Sequence, residues 1–322
     1  MISVTNLFAS IDTDLQLLTA NLKKLIGARH PILGTAAEHL FEAGGKRVRP
    51  AIVFLVSRAT MLDRDITTRH RRLAEITEMI HTASLIHDDV VDEAEIRRNV
   101  PTVNNLFDNR IAILAGDFLF AQSSWYLANL DNLEVVKLLS EVIRDFAEGE
   151  IQQGLNHFDT NLSFQAYLHK SYCKTASLMA NSAKAAALLS EASREVAENL
   201  YEYGRNIGLA FQIVDDILDF TASTETLGKP VASDLIGGNL TAPVLYALEE
   251  QPYLETLIEG KFSEDGDLEK ALTLIRESSS IDRSRELAYR YSRMAMENLA
   301  CLEPSEPASA LKELADYVVS RI

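Results

Sequence analysis

Apolar residues recur at three- and four-residue spacing along almost all of this 322-residue chain, and only 14 glycines and 8 prolines interrupt them. That period gives each segment one apolar stripe, the pattern of packed helices rather than of alternating strands. The spacing predicts an all-α protein. Helices are expected from the first residues to about Ala28, then over about 34–43, 51–60, 68–91, 110–129, 133–156, 163–190 and 194–220, resuming at Thr241, with Asp282 and Ser305 as caps near the end. No Pro/Gly/Ser-rich linker, repeat or low-complexity tract divides the chain, so one domain over residues 1–322 is expected.

Two of these helices end in the same acidic string, Asp88-Asp89-Val90-Val91-Asp92 and Asp215-Asp216-Ile217-Leu218-Asp219. Residues four apart share a helix face, so each copy stacks its first and last carboxylates one turn apart, with the middle Asp beside them. Like charges so placed repel, and near a helix C-terminus they also oppose the dipole. Cations between them resolve both problems. Oxygen-only ligands point to Mg²⁺, which keeps waters and completes its shell with substrate phosphate. A phosphorylated substrate clamped between two facing helices is the natural reading.

The formal charge of −16 argues against a nucleic-acid partner, which needs a basic footprint. Cys173 and Cys301 stand far apart with no redox or metal spacing, as ordinary thiols of a reducing compartment do. No apolar run of membrane-spanning length stands out, and the first residues carry Asp12 and Asp14 in place of a signal core, which predicts a cytoplasmic protein with no transmembrane segment. Anion sites must therefore be local. Lys46, Arg47 and Arg49 follow the double glycine Gly44-Gly45, where a sharp turn exposes backbone donors beside cations. Arg97 and Arg98 lie one short loop beyond the first acidic string, and Arg grips phosphate bidentately. His81 sits two turns before Asp88 on roughly the same face. Lys174-Thr175, Gln212 and Lys229 complete the polar set, the last in a Gly- and Pro-containing segment, 221–239, read as a mobile loop.

The strings GGKRVRP, HTASLIHDDVVDEAEIRR, LAGDFLF, EGEIQQ, YCKTASL, GLAFQIVDDILDF and GKPVASDL, in this order, resemble the trans-isoprenyl diphosphate synthases. The wording of ILAGDFLFAQSSWYLANL and GNLTAP is most similar to the solanesyl-type long-chain enzymes of cyanobacteria and plastids. The resemblance implies a single-domain isoprenoid-synthase helical bundle around a deep central cavity, working as a homodimer. It implies that Asp88 and Asp92, with Asp215 opposite, bind three Mg²⁺ ions, supported by Asp89, Asp216 and Asp219. By the same likeness Arg97, Lys174, Thr175, Gln212 and Lys229 contact an allylic diphosphate, and Lys46, Arg49, His81 and Arg98 hold isopentenyl diphosphate. The allylic C1–O bond breaks, the isopentenyl double bond attacks the cation, and a proton is lost, the departing diphosphate serving as base. Two positions depart from the family: Asn99 stands where Gly commonly follows the two arginines, and Asn239 where many members have Lys.

In this family bulky residues just before the first acidic string stop the growing chain. Here Ala83 and Ser84 are small, and Ser84 lies one turn below Asp88, so a tail can pass toward Ile80, Thr77 and Ile76. A long product is expected, solanesyl (C45) or similar, with transient membrane contact as a way for it to leave. The alternatives are a shorter-chain farnesyl or geranylgeranyl diphosphate synthase, a terpene cyclase and a non-catalytic regulatory subunit. A cyclase normally lacks the second acidic string and the basic sites for a second diphosphate, and regulatory subunits tend to lose one acidic string; this chain keeps all of them.

Overall fold

The computed structural model describes residues 7–28, 30–42, 44–222 and 231–322. They form an all-α fold, and the two-residue strands β1 (Ile96–Arg97) and β2 (Val100–Pro101) make a single antiparallel hairpin. The principal helices are α1 (Asp12–Ile26), α2 (Pro31–Glu42), α3 (Val48–Ala59), α4 (Thr68–Val91), α5 (Asn109–Ala128), α6 (Leu133–Leu155), α7 (Phe164–Ser171), α8 (Ser177–Leu189) and α9 (Arg194–Thr221). After them come α10 (Ala242–Glu250), α11 (Tyr253–Glu259), α12 (Asp267–Glu277), α13 (Ser280–Asn298) and α14 (Glu306–Val319). Most expected boundaries fall within three residues of these. Ser305 accepts from the backbone of Ala308 as a cap should, whereas α13 begins at Ser280 and takes Asp282 into its first turn.

The chain falls into two compact units. The first comprises Met1–Ile143, Leu178–Gly204 and Leu299–Glu313. Its centre is α3, which is buried from Pro50 to Ser57, as expected of a helix apolar all round. Along α4, Ile76, Met79, Ile80 and Ala83 are fully buried, and on α5 Ala112, Ala115 and Leu119 are too. Charges that enter this core are paired: Asp14 takes Arg58 at 2.5 Å and Arg71 at 3.2 Å, and Glu75 takes Arg72 at 3.1 Å. Helix α5 has the length and mean hydropathy of a membrane span, which the sequence reading did not recognise; a third of it is buried inside the protein.

His70 fixes the start of α4. The Thr67 backbone N–H donates to its Nδ1 at 3.2 Å, and Nε2 bonds the Ser190 hydroxyl at 3.1 Å, an arrangement for the neutral ring. Burial pushes its pKa down to about 4, and nearby Arg69 adds to the effect. A depressed pKa makes stability complete above the free-imidazole value near 6.5 and lost as pH falls toward 4. Melting followed by circular dichroism across that window is expected to show about 2–3 kcal/mol of acid destabilisation. In His70→Gln that pH slope should flatten; an unchanged slope would assign it to other groups.

The second unit comprises Arg144–Ser177, Arg205–Asn298 and Leu314–Ile322. The continuous helix expected over 163–190 is broken here into α7, a π-helical turn at Tyr172–Ala176, and α8. Such turns insert one residue into the ladder and re-aim the side chains beside it. Ala176, the last residue of the turn, packs against Gly208 of α9, where a Cβ would come within 2.5 Å of the Ala176 backbone.

Candidate active site

In the first unit, α4 carries Asp88 and Asp89 through its last turn and ends at Asp92, whose N–H bonds the Asp88 carbonyl at 2.8 Å. Asp92 is exposed, Asp88 half-buried and Asp89 buried. Arg97 Nε donates to Asp89 Oδ1 at 2.7 Å, while Asp89 Oδ2 is buried with no hydrogen-bond partner among the described residues. Burial pushes the Asp89 pKa up, Arg97 pulls it down, and Asp92 pushes it up again. Arg97 is delivered by the β1–β2 hairpin, whose two-residue turn is Arg98-Asn99, at φ 52° and φ 65°. A turn of this kind needs left-handed backbone at both central residues, and Asn tolerates it better than any residue but Gly. Asn99 therefore closes the turn in the place where Gly is usual.

Arginines from the double-glycine turn and from the hairpin act on His81. Gly44 and Gly45 have φ of 73° and 145°, and the Arg98 side chain lies so close to Gly45 that a Cβ there would meet Nη1 at 2.7 Å. Arg98 also donates to the Gly44 carbonyl. Arg49 Nη1 donates to His81 Nε2 at 3.0 Å, which requires that nitrogen to be unprotonated. Burial first, then Arg49, Arg98, Arg97 and Arg47 hold the His81 pKa well below its usual value. Such a neutral ring amid guanidinium groups is a basin for an anion. Lys46, in the turn before Arg49, is exposed. Arg47 has another task, since it pairs with buried Glu78 and donates to the Phe41 carbonyl at 3.0 Å.

In the second unit, α9 carries the other acidic string. Asp215 is ion-paired to Arg321 at 2.7 Å. Asp216 is buried and accepts from the Tyr167 hydroxyl at 2.6 Å and from Gln212 Nε2 at 2.9 Å. Burial and Asp234 push its pKa up to about 7 against these donors. Asp219 receives the Ser233 hydroxyl at 3.0 Å and the Asp234 N–H at 3.1 Å, and so anchors the single helical turn Ser233–Ile236. Thr175 donates to Gln212 Oε1 at 2.6 Å, which links the π-helical turn to Asp216. Lys174, in the same turn, pairs with Glu150 and donates to Gln153 at 3.0 Å.

Asn239, read from the sequence as a lost cation, is contacted by the ammonium of buried Lys170. Burial lowers the Lys170 pKa, and Asp216 supports its charge. The sequence reading missed Lys170, Tyr167 and Arg321. Lys170 and Tyr167 lie one and two turns before Lys174, so helical spacing from that residue could have found them; Arg321, far along the chain from Asp215, gave no local signal. Lys229 lies outside the described residues, as does 223–230 of the expected mobile segment.

The donors in both strings suit Mg²⁺, since all are carboxylate oxygens and, among the described residues, Asp89 Oδ2 is buried without a hydrogen-bond partner. Among the described residues no three His, Cys, Asp or Glu side chains already converge on one point as a cage. Mg²⁺ seldom asks for a cage, because it uses one or two carboxylates with waters and substrate phosphates. The residues fit the ion in that open manner.

Residues 30–275 match the polyprenyl synthetase family model. The chain is 70% identical to a prenyl transferase of Synechocystis sp. over 322 residues, covering all of both chains. It is 54% identical to the chloroplastic solanesyl diphosphate synthase 2 of Arabidopsis thaliana, covering all of this chain and 78% of that one. Among solved structures it is similar to a polyprenyl synthase from Caulobacter crescentus complexed with calcium and isoprenyl diphosphate, with a TM-score of 0.91, 34% identity and coverage of 99% and 98%. Sequence likeness over the full length and the shared helical fold agree: the chain belongs to the polyprenyl synthetase family.

Proposed function

We propose that this prenyltransferase condenses isopentenyl diphosphate repeatedly onto an allylic diphosphate and releases a long trans-polyprenyl diphosphate, solanesyl or similar. One observation carries the reading. Within the first unit, α4 presents a carboxylate end at Asp88 and Asp92 and, seven residues earlier, a neutral His81 set among Arg49, Arg98 and Arg97. Seven residues span about 10 Å of helix, the spacing of two neighbouring anion sites built from opposite charges. Prenyl transferases and solanesyl synthases among the relatives support the long-chain product over a farnesyl or geranylgeranyl one. The family match extends through segments of both units, which supports one synthase domain.

In this proposal Asp88, Asp92 and Asp215 hold Mg²⁺, three ions in all, with Asp89, Asp216 and Asp219 orienting the ligands. Bound there, the metal neutralises charge on the leaving diphosphate. Arg97, Lys174, Thr175, Gln212 and Lys229 grip the allylic diphosphate, and Lys46, Arg49, His81 and Arg98 the isopentenyl one. Unprotonated His81 accepts from Arg49 and so aims the guanidinium. The departing diphosphate takes the proton, the role that the family resemblance implies for it. Buried Ala83, Ile80 and Ile76 keep water from the cation.

Incubation of the purified chain with Mg²⁺, isopentenyl diphosphate and labelled farnesyl diphosphate is expected to give one dominant long product by reversed-phase chromatography. Products no longer than geranylgeranyl would overturn the chain length, and turnover that needs an added partner chain would favour a regulatory subunit. A homodimer is part of the proposal, supported by Ile113, Leu114 and Trp125, which leave α5 with exposed apolar side chains. Light scattering should give twice the chain mass, and Leu114→Glu with Trp125→Glu should bring it to one. The wide separation of Cys173 and Cys301 in the sequence, with no redox or metal spacing, supports a reducing compartment such as the cytoplasm, with passing membrane contact for product release.

A further inference from the structure

The second unit holds a groove of about 590 Å³ between α10 and α13 that none of the residues assigned to either diphosphate lines. Its walls are Tyr246, Leu287 and Tyr289, with Arg283, Arg290 and Arg293 along one side and Glu286 beside them. The sequence of α13 explains why these side chains share it. Arg283, Glu286, Leu287, Arg290 and Arg293 follow three-and-four spacing on the outer stripe, while Ser284, Ala288, Ser292 and Ala295 are buried on the inner one. Three arginines on one stripe are a local exception in a chain of net charge −16.

The arginines differ in what occupies them. Arg283 is fixed, its guanidinium 4.1 Å above the Tyr246 ring and paired to Glu249 at 2.7 Å and Glu250 at 3.5 Å. Among the described residues, no hydrogen bond or ion pair engages the side chains of Arg290 and Arg293. They are three residues apart on one face, within reach of a single phosphate group. The volume is that of a small-molecule site, and its two tyrosines offer faces to a planar or apolar body. A flat anionic membrane fits less well, since about 1 kcal/mol per exposed arginine must work against repulsion by the whole chain.

The groove also connects to the second acidic string inside its own unit. Tyr246 stacks on Phe164 at 4.9 Å, Phe164 tilts against Tyr167 at 5.4 Å, and Tyr167 donates its hydroxyl to Asp216. We propose that this groove is an effector site for a small organic phosphate, whose anionic group lies between Arg290 and Arg293 and whose body lies on Tyr246 and Tyr289. Occupancy acts through Phe164 and Tyr167 on the Tyr167–Asp216 contact. Binding stands apart from the catalytic reading, whereas the coupling rests on it.

Calorimetric titration of the full chain in EDTA, which removes metal-dependent substrate binding, tests the site with ADP, geranyl diphosphate and inorganic diphosphate. One ligand per chain is expected for an organic diphosphate, tenfold or more tighter than inorganic diphosphate. In Arg290→Glu/Arg293→Glu the affinity should fall at least tenfold, and in the milder Arg290→Ala by a smaller factor, with melting temperature and basal turnover unchanged. ADP against geranyl diphosphate tells a nucleotide effector from a prenyl one. Equal binding by wild type and the double variant, no binding by either, or binding only to anionic vesicles overturns the site. The coupling is read as a twofold or larger change in turnover on adding the tighter ligand, abolished in the double variant and in Phe164→Leu. Binding without that change overturns the coupling alone, and absence of any condensation activity overturns the catalytic reading while leaving the binding result standing.

Discussion

Asp88→Ala is expected to cut turnover about a thousandfold, the equivalent of about 4 kcal/mol of lost charge stabilisation at the leaving diphosphate. Asp88 is half-buried and sits in the last turn of α4, so its removal also relieves like-charge repulsion with Asp92 one turn on. The fold should therefore survive, with a melting temperature equal to or slightly above that of the native chain. Asp89→Ala is the informative contrast. Asp89 is buried and receives Arg97, so this change strands a cation and should lower both stability and activity. Excess Mg²⁺ should recover part of the Asp88→Ala loss and none of the instability of Asp89→Ala. Steady-state assays across a Mg²⁺ series, with melting curves alongside, separate the two. Retention of more than a tenth of native turnover by Asp88→Ala would remove the first acidic string from the metal site.

That contrast marks what was legible in the sequence. Helical spacing located α4 to the residue, because its apolar stripe is long and Thr67 caps its start. The same spacing put Asp88 and Asp92 on one face. It could not divide labour within a string, because burial depends on which helices pack nearby: Asp89, Asp216 and Asp219 are buried, whereas Asp92 is exposed. Nor could it separate Arg47, which is spent on Glu78, from its neighbours in the turn. The region 163–190 was read as one helix because a π-helical turn leaves the apolar pattern almost intact while shifting it by a single residue. Contacts between residues distant in the chain, Arg321 with Asp215 and Lys170 with Asn239, left no periodic trace. Asn99 shows the opposite case, where a departure from the usual residue became intelligible once φ 65° was known.

Ser84→Phe is expected to turn a long-chain product into a short one, with the dominant species reduced to a few isoprene units. Ser84 lies four residues, about 6 Å along the axis, below Asp88, so a tail that hangs from a diphosphate at Asp88 meets this position early. The native side chain is small, buried, and bonded back to the His81 carbonyl at 2.9 Å. A phenyl ring in its place must be accommodated against buried Ala83 and Ile80, and overpacking of this kind costs about 1–3 kcal/mol. Stability should drop by that amount while the first condensation proceeds at near-native rate, because the diphosphate ligands are untouched. Thr77 supplies a second gauge. It lies seven residues, about two helical turns, below Ser84 on the same face, and its hydroxyl is 3.1 Å from that of Ser182 on α8. A ring at Thr77 would meet only a longer tail, and Thr77→Phe should stop growth later than Ser84→Phe. Product ladders on reversed-phase plates rank the two directly. If Ser84→Phe and the native chain give the same length, α4 does not line the path of the tail.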